Sequence, residues 1–153
     1  MSEDKLTAVV VGAGYAGEGH TKALQSAGVD VVAICARTAD VVQQVADTLG
    51  VPMASTDWST SLKEIRPDIV ALATPAGLRA EVVDRACEMG SHLLCDKPLG
   101  TSAQEALTLY QSVKTHGVKH AFGATKGYEP SVAWIAQLLG DGTIGEILVG
   151  GGP

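Results

Sequence analysis

Two hydrophobic periods take turns along this chain. Short unbroken apolar runs recur, and most are followed by stretches whose apolar residues fall three and four apart. The run at 6–12 (Leu-Thr-Ala-Val-Val-Val-Gly) has the character of a parallel strand buried on both faces. A helix is predicted from about Ala16 to Ala27, with Gly28 as its C-terminal stop. Val31–Ala36 is the second strand, and Ala39–Leu49 the second helix, with Val42, Val45, Ala46 and Leu49 on one face and Gly50 closing it. Met53–Ser55 reads as a short strand, Ser61–Ile65 as a brief helix ended by Pro67, and Ile69–Ala73 as a further strand that turns at Thr74-Pro75. A helix over Leu78–Met89 stops at Gly90, and His92–Cys95 is the next strand. Ser102 caps a helix reaching about Thr115, with Leu107, Tyr110 and Val113 expected to point inward. His120–Ala124 is a sixth strand, Pro130 opens a helix through about Leu139, and Ile147–Val149 reads as one more strand.

Strands alternating with helices over short connections predict an α/β fold with right-handed crossovers. We expect a doubly wound parallel sheet of about six strands in the order 3-2-1-4-5-6. The predicted organisation is one such domain over residues 1–125. Residues 126–153 are then a linker helix and the first strand of a second domain.

The junction of the first strand and first helix carries candidate chemistry. Gly12-x-Gly14-x-x-Gly17 follows an apolar strand and opens a helix, the setting in which this spacing binds a dinucleotide. Gly12 permits the tight turn, Gly14 lets a pyrophosphate approach the backbone, and Gly17 lets helix and sheet pack closely. Ala13, Tyr15 and Ala16 complete the turn, whose free N–H groups and helix dipole favour a phosphate. The fold class is thus Rossmann-type.

Composition removes several alternatives. With 46% hydrophobic and 18% charged residues the chain is globular, and its net charge of -6 with scattered basic residues excludes a nucleic-acid footprint. One Phe, three Tyr and two Trp offer no base-stacking platform. No apolar stretch approaches the roughly 18 residues of a membrane span, and the polar start lacks a secretory signal. Cys35, Cys87 and Cys95 lack metal-ligand spacing, so reduced thiols in a cytoplasmic protein without a metal are expected.

The end of the second strand bears on cofactor choice. An NAD site usually places Asp or Glu there for the ribose hydroxyls. This chain has Ala36, followed by Arg37 and Thr38. Arg37 can pair with a 2′-phosphate, or it is a solvated surface residue. NADP is the expected cofactor, with NAD as the alternative. Farther on, Cys95-Asp96-Lys97-Pro98 puts a charged pair at a strand's C-terminal end, where Pro98 stiffens the loop. Lys97 either donates to a ribose or substrate oxygen, or belongs to an exposed ion pair.

In order along the chain stand Gly12-x-Gly14-x-x-Gly17-x-x-His20, Ala73-Thr74-Pro75, Cys95-Asp96-Lys97-Pro98-Leu99, Tyr128-Glu129-Pro130 and Gly142-Thr143-Ile144-Gly145-Glu146-Ile147. Together they resemble the Gfo/Idh/MocA oxidoreductases, a family named for glucose–fructose oxidoreductase and inositol dehydrogenase. The resemblance implies hydride transfer between a nicotinamide dinucleotide and a sugar, cyclic polyol or related carbonyl substrate. It also implies a second domain through which the full-length protein forms a homo-oligomer and which supplies the usual proton-relay Asp and His. Carried over, Gly12, Gly14 and Gly17 serve the pyrophosphate, Ala73, Thr74 and Pro75 line the cofactor, and Lys97 is the catalytic candidate beside Asp96 and Pro98. Asp96 replaces the family's common Glu, Ala76-Gly77-Leu78-Arg79 replaces Asn-x-Leu-His, and Gly127 replaces an Arg. His20 is read as a helix residue packed near the turn. The expectation is cofactor binding without turnover by this chain alone, the alternative being a non-catalytic nucleotide-binding sensor or interaction module.

Overall fold

The computed structural model describes residues 5–146. Its strands are β1 (Thr7–Val11), β2 (Asp30–Cys35), β3 (Met53–Ser55), β4 (Ile69–Leu72), β5 (His92–Asp96) and β6 (His120–Gly123). All pair in parallel, in the order β3-β2-β1-β4-β5-β6. The helices are α1 (Tyr15–Ser26), α2 (Ala39–Leu49), α3 (Trp58–Ile65), α4 (Ala80–Glu88), α5 (Ala103–His116) and α6 (Pro130–Gly140). The doubly wound Rossmann-type sheet expected from the hydrophobic pattern is present.

Period-two alternation in β1 explains why both faces are covered. Val9 and Val11 enter one core with Leu62, Val82 and Leu109, from α3, α4 and α5. Ala8 and Val10 enter the other with Leu24, Val42 and Ala46, from α1 and α2. Each fully buried valine contributes about 1.5–3 kcal/mol by leaving water. At the N-terminal rim, Asp68 Oδ2 accepts from Thr7 N at 2.8 Å and Thr7 Oγ1 at 2.9 Å, stitching β1 to β4. Those two bonds hold the Asp68 carboxyl below its ordinary range.

Several element edges differ from the sequence expectation, for local reasons. Helix α3 begins at Trp58 and not at Ser61, because Asp57 caps it and accepts from Thr60 N at 3.0 Å. Helix α4 begins at Ala80 and not at Leu78. Leu78 and Arg79 N–H groups bond to Pro75 and Ala76 carbonyls, which makes Ala76–Leu78 a 3-10 turn. In α5, Leu109 and Val113 are buried whereas Leu107 and Tyr110 are exposed. The inward stripe runs Ala106–Leu109–Val113, and Tyr110 turns away to meet the His120 ring edge-on at 5.6 Å.

The chain divides into two compact units, Met1–Gly123 and Ala124–Pro153. Within the second, the described residues form a 3-10 turn at Thr125–Tyr128 and α6, with Pro130 in its first turn. The strand expected at Ile147–Val149 lies outside the described residues.

Candidate functional site

A parallel sheet gathers the C-terminal ends of its strands on one rim. Adjacent β1 and β4 send their following helices to opposite faces, which opens a crevice between their ends. The turn from β1 into α1 closes by backbone interlock. Gly12 N donates to Cys35 O at 2.7 Å, tying the turn to the end of β2. Gly12 has φ +118, and a Cβ there would lie 2.7 Å from the Ala73 carbonyl. A Cβ on Gly17 would lie 1.9 Å from Gly12 O. Gly14 differs: its φ of -87 suits any residue, and a Cβ would meet nothing within 4 Å. Gly14 is the N-cap of α1, with no side-chain cap, and the first bond here is Glu18 N to Gly14 O at 3.0 Å. The amides at 15–17 therefore precede the helical ladder and remain available at the positive end of the helix.

Beyond that turn lies a cleft of about 390 Å³, in the size range of small-molecule and cofactor sites. Its walls bring together Gly12, Ala13 and Gly14, then Ala36, Arg37 and Thr38, then Ala73, Thr74 and Pro75. Six other residues singled out in the sequence do not line it. Ala16 and Gly17 lie in the turn and first helical residues behind it, and the Tyr15 side chain is 97% exposed. Asp96, Lys97 and Pro98 continue from the end of β5, Asp96 half-buried, Lys97 and Pro98 exposed, with a cis bond between the last two.

The cleft also has walls that sequence reasoning passed over, chiefly Val41, Thr56, Trp58 and Leu78. A tryptophan just after a short strand, in a chain with only two, was the available signal for Trp58. No carboxylate is among the lining residues. Arg37 is exposed and has no ion pair among the described residues. Asp57, next to Trp58, commits its carboxylate to Thr60 N and Oγ1, which together hold its acid below the ordinary range.

Polar atoms behind the rim complete the picture. Thr74 Oγ1 is buried and lacks a partner, and so is His20 Nε2. Burial lowers the His20 pKa; Asp96 opposes that shift and Arg79 adds to it. Arg79 itself is buried, its Nε and Nη2 donating to Thr74 O at 2.9 and 2.6 Å. Its Nη1 donates to the carbonyls of Asp96 and Pro98.

The residues fit a nicotinamide dinucleotide. An open cradle stands over Gly14, free amides lie at the start of α1, and Thr74, a wall residue of the same cleft, carries a buried hydroxyl without a partner. Residues 6–124 match the Gfo/Idh/MocA profile, described as "Oxidoreductase family, NAD-binding Rossmann fold". The chain belongs to this family.

Among Gfo/Idh/MocA relatives, levoglucosan dehydrogenase of Pseudarthrobacter phenanthrenivorans is 29% identical over 109 residues, 71% of this chain and 28% of the relative. D-xylose 1-dehydrogenase (NADP(+)) 2 of Haloferax volcanii is 33% identical over 117 residues, 76% of this chain and 36% of the relative. The crystal structure of myo-inositol 2-dehydrogenase from Lactobacillus plantarum superposes with a TM-score of 0.87 at 26% identity, covering 94% of this chain and 43% of that one. The chain thus spans less than half the length of these family members. No helix among the described residues is long and apolar enough to cross a membrane.

Proposed function

We propose that the chain is the cofactor-binding portion of an oxidoreductase that moves hydride between NADP(H) and a sugar, cyclic polyol or related carbonyl compound. One observation carries the cofactor preference: Ala36, Arg37 and Thr38 line the cleft at the end of β2, and no carboxylate does. An acid at that position would repel a 2′-phosphate, whereas the exposed guanidinium of Arg37 can pair with it. The NADP(+)-linked name of the Haloferax relative supports the same reading. The substrate class rests on the names of the sugar and inositol dehydrogenases to which the chain is similar.

In this reading Gly12, Gly14 and the amides opening α1 hold the pyrophosphate, Thr74 and Pro75 border the nicotinamide half, and Trp58 with Val41 walls the adenosine half. The bound nicotinamide supplies or accepts the hydride. Lys97, at the end of β5, holds the proton that the substrate oxygen gains or loses. We place the domain boundary near residue 125, with the following helix leading toward a substrate domain.

Calorimetric titration of NADPH and NADH into the chain and into Arg37→Ala tests the cofactor assignment. Tighter NADPH binding is expected, with the difference reduced about tenfold or more in the variant, the effect of losing one charge-assisted pair. Equal affinities in the unaltered chain would overturn the NADP preference. Absence of binding by either dinucleotide would overturn the cofactor reading.

A further inference from the structure

Arg79 is the largest fully buried side chain in the described residues, 2% exposed. No carboxylate pairs with it among those residues. Taking a lone guanidinium out of water is costly, so its retention calls for an account of what it holds. It holds two loops. On one side Nε and Nη2 converge on the carbonyl of Thr74, the residue whose own hydroxyl lacks a partner at the cleft wall. On the other side Nη1 binds the carbonyls of Asp96 and Pro98, the residues immediately before and after Lys97, and approaches Cys95 Sγ at 3.6 Å. Only a planar, five-donor fork can serve acceptors in both directions at once.

We propose that Arg79 is a positioning residue, strapping the Lys97 segment to the Thr74 wall so that the lysine is fixed relative to the nicotinamide half of the cleft. The inference rests on the cofactor reading above and deepens it. Arg79 touches neither the glycine turn nor the Arg37 corner through any of its hydrogen bonds. Its hydrogen bonds therefore bear directly on one end of the dinucleotide, and reach the glycine end only through its charge on His20 and through the neighbouring Ala73. A residue needed only for folding would affect both ends alike.

The test compares a whole dinucleotide with its adenosine-side fragment. NADPH and 2′-phospho-ADP-ribose are titrated into the chain, Arg79→Met and Arg79→Lys, with thermal melting run alongside. The chain is expected to bind NADPH more tightly than the fragment. In Arg79→Met that advantage falls about tenfold or more while fragment affinity holds within about twofold, and Arg79→Lys lies between. Equal loss of both ligands, an unchanged ratio, or failure of both variants to fold would overturn the positioning role. Fragment and dinucleotide binding equally to the unaltered chain would overturn it too, while leaving the cofactor site standing. Binding of neither ligand to the unaltered chain would instead sink the cofactor reading, and the inference with it.

Discussion

The glycine turn after β1 and the paired loops after β4 and β5 stand on the same rim, and opposite means hold them in place. In the turn, backbone meets backbone: Gly12 N bonds to Cys35 O at 2.7 Å, and Gly17 lies so close to Gly12 O that a Cβ would come within 1.9 Å. One side chain joins in, Thr21 Oγ1 donating to Gly17 O at 2.8 Å, and no charged group does. In the loops, one buried guanidinium reaches carbonyls on both segments. The first arrangement is rigid because nothing can be added to it. The second depends on a single group whose removal would leave several carbonyls without their donor. A rim built in this way has one end fixed by close backbone contact and another whose geometry hangs on a buried side chain.

The comparison breaks most severely at Gly17. Gly17→Ala forces α1 away from the turn, since the atom it meets is backbone and cannot rotate aside. A loss of about 3 kcal/mol is expected, at the upper end of the usual range for overpacking. That corresponds to a fall of roughly 10 °C in melting temperature for a domain of this size. A melting curve within a degree or two of the unaltered chain would show that the turn gives way and the interlock is not rigid.

Gly14→Ser sharpens the same contrast by separating stability from binding. The backbone there is extended, the space beyond is open, and serine is a preferred N-cap. Melting temperature should hold or rise slightly. The new side chain occupies the approach to the amides of α1, so NADPH affinity should drop about tenfold or more by calorimetry. A variant that melts lower but binds normally would assign Gly14 to folding and not to the ligand.

The two regions also differ in how far the sequence disclosed them. The turn was legible because its glycines follow a strand and precede a helix, and close backbone approach leaves a mark that only glycine satisfies. Strand order was legible for a similar reason, since βα alternation with short connections admits few topologies. The strap was not. An arginine in an apolar neighbourhood looks like any charged helix residue until its acceptors are seen, and Thr74, Asp96 and Pro98 lie at sequence distances that no period links to Arg79. Its one trace was the resemblance, in which His commonly stands at that place. The tilt of α5 was missed on other grounds. Leu107 and Tyr110 fit a helical stripe as well as Ala106 and Leu109 do, and only the packing against α4 decides between them. The early start of α3 was available in principle, because Asp57 with Thr60 has the spacing of an N-cap pair.

His20 tests the comparison most finely, because it belongs to the turn by sequence and to the loops by electrostatics. It lies on α1, yet the charges acting on it are those of Asp96 and Arg79. Burial depresses its folded pKa below the ordinary 6.5; Asp96 opposes that shift, and Arg79 adds to it. The unfolded chain therefore takes up a proton near 6.5 while the folded chain stays neutral. Stability present above that pH is lost as pH falls from 6.5 toward the lower folded value. The ring is only half buried, so the change in melting temperature between pH 7.5 and pH 5.5 should be the smallest of these effects, and His20→Gln should flatten it. Proton NMR of the His20 ring resolves the coupling directly: Arg79→Met should move the titration upward and Asp96→Asn should move it downward. A His20 titration unmoved by either substitution would mean that the turn and the strapped loops are electrically independent, and that their common rim is an accident of the sheet.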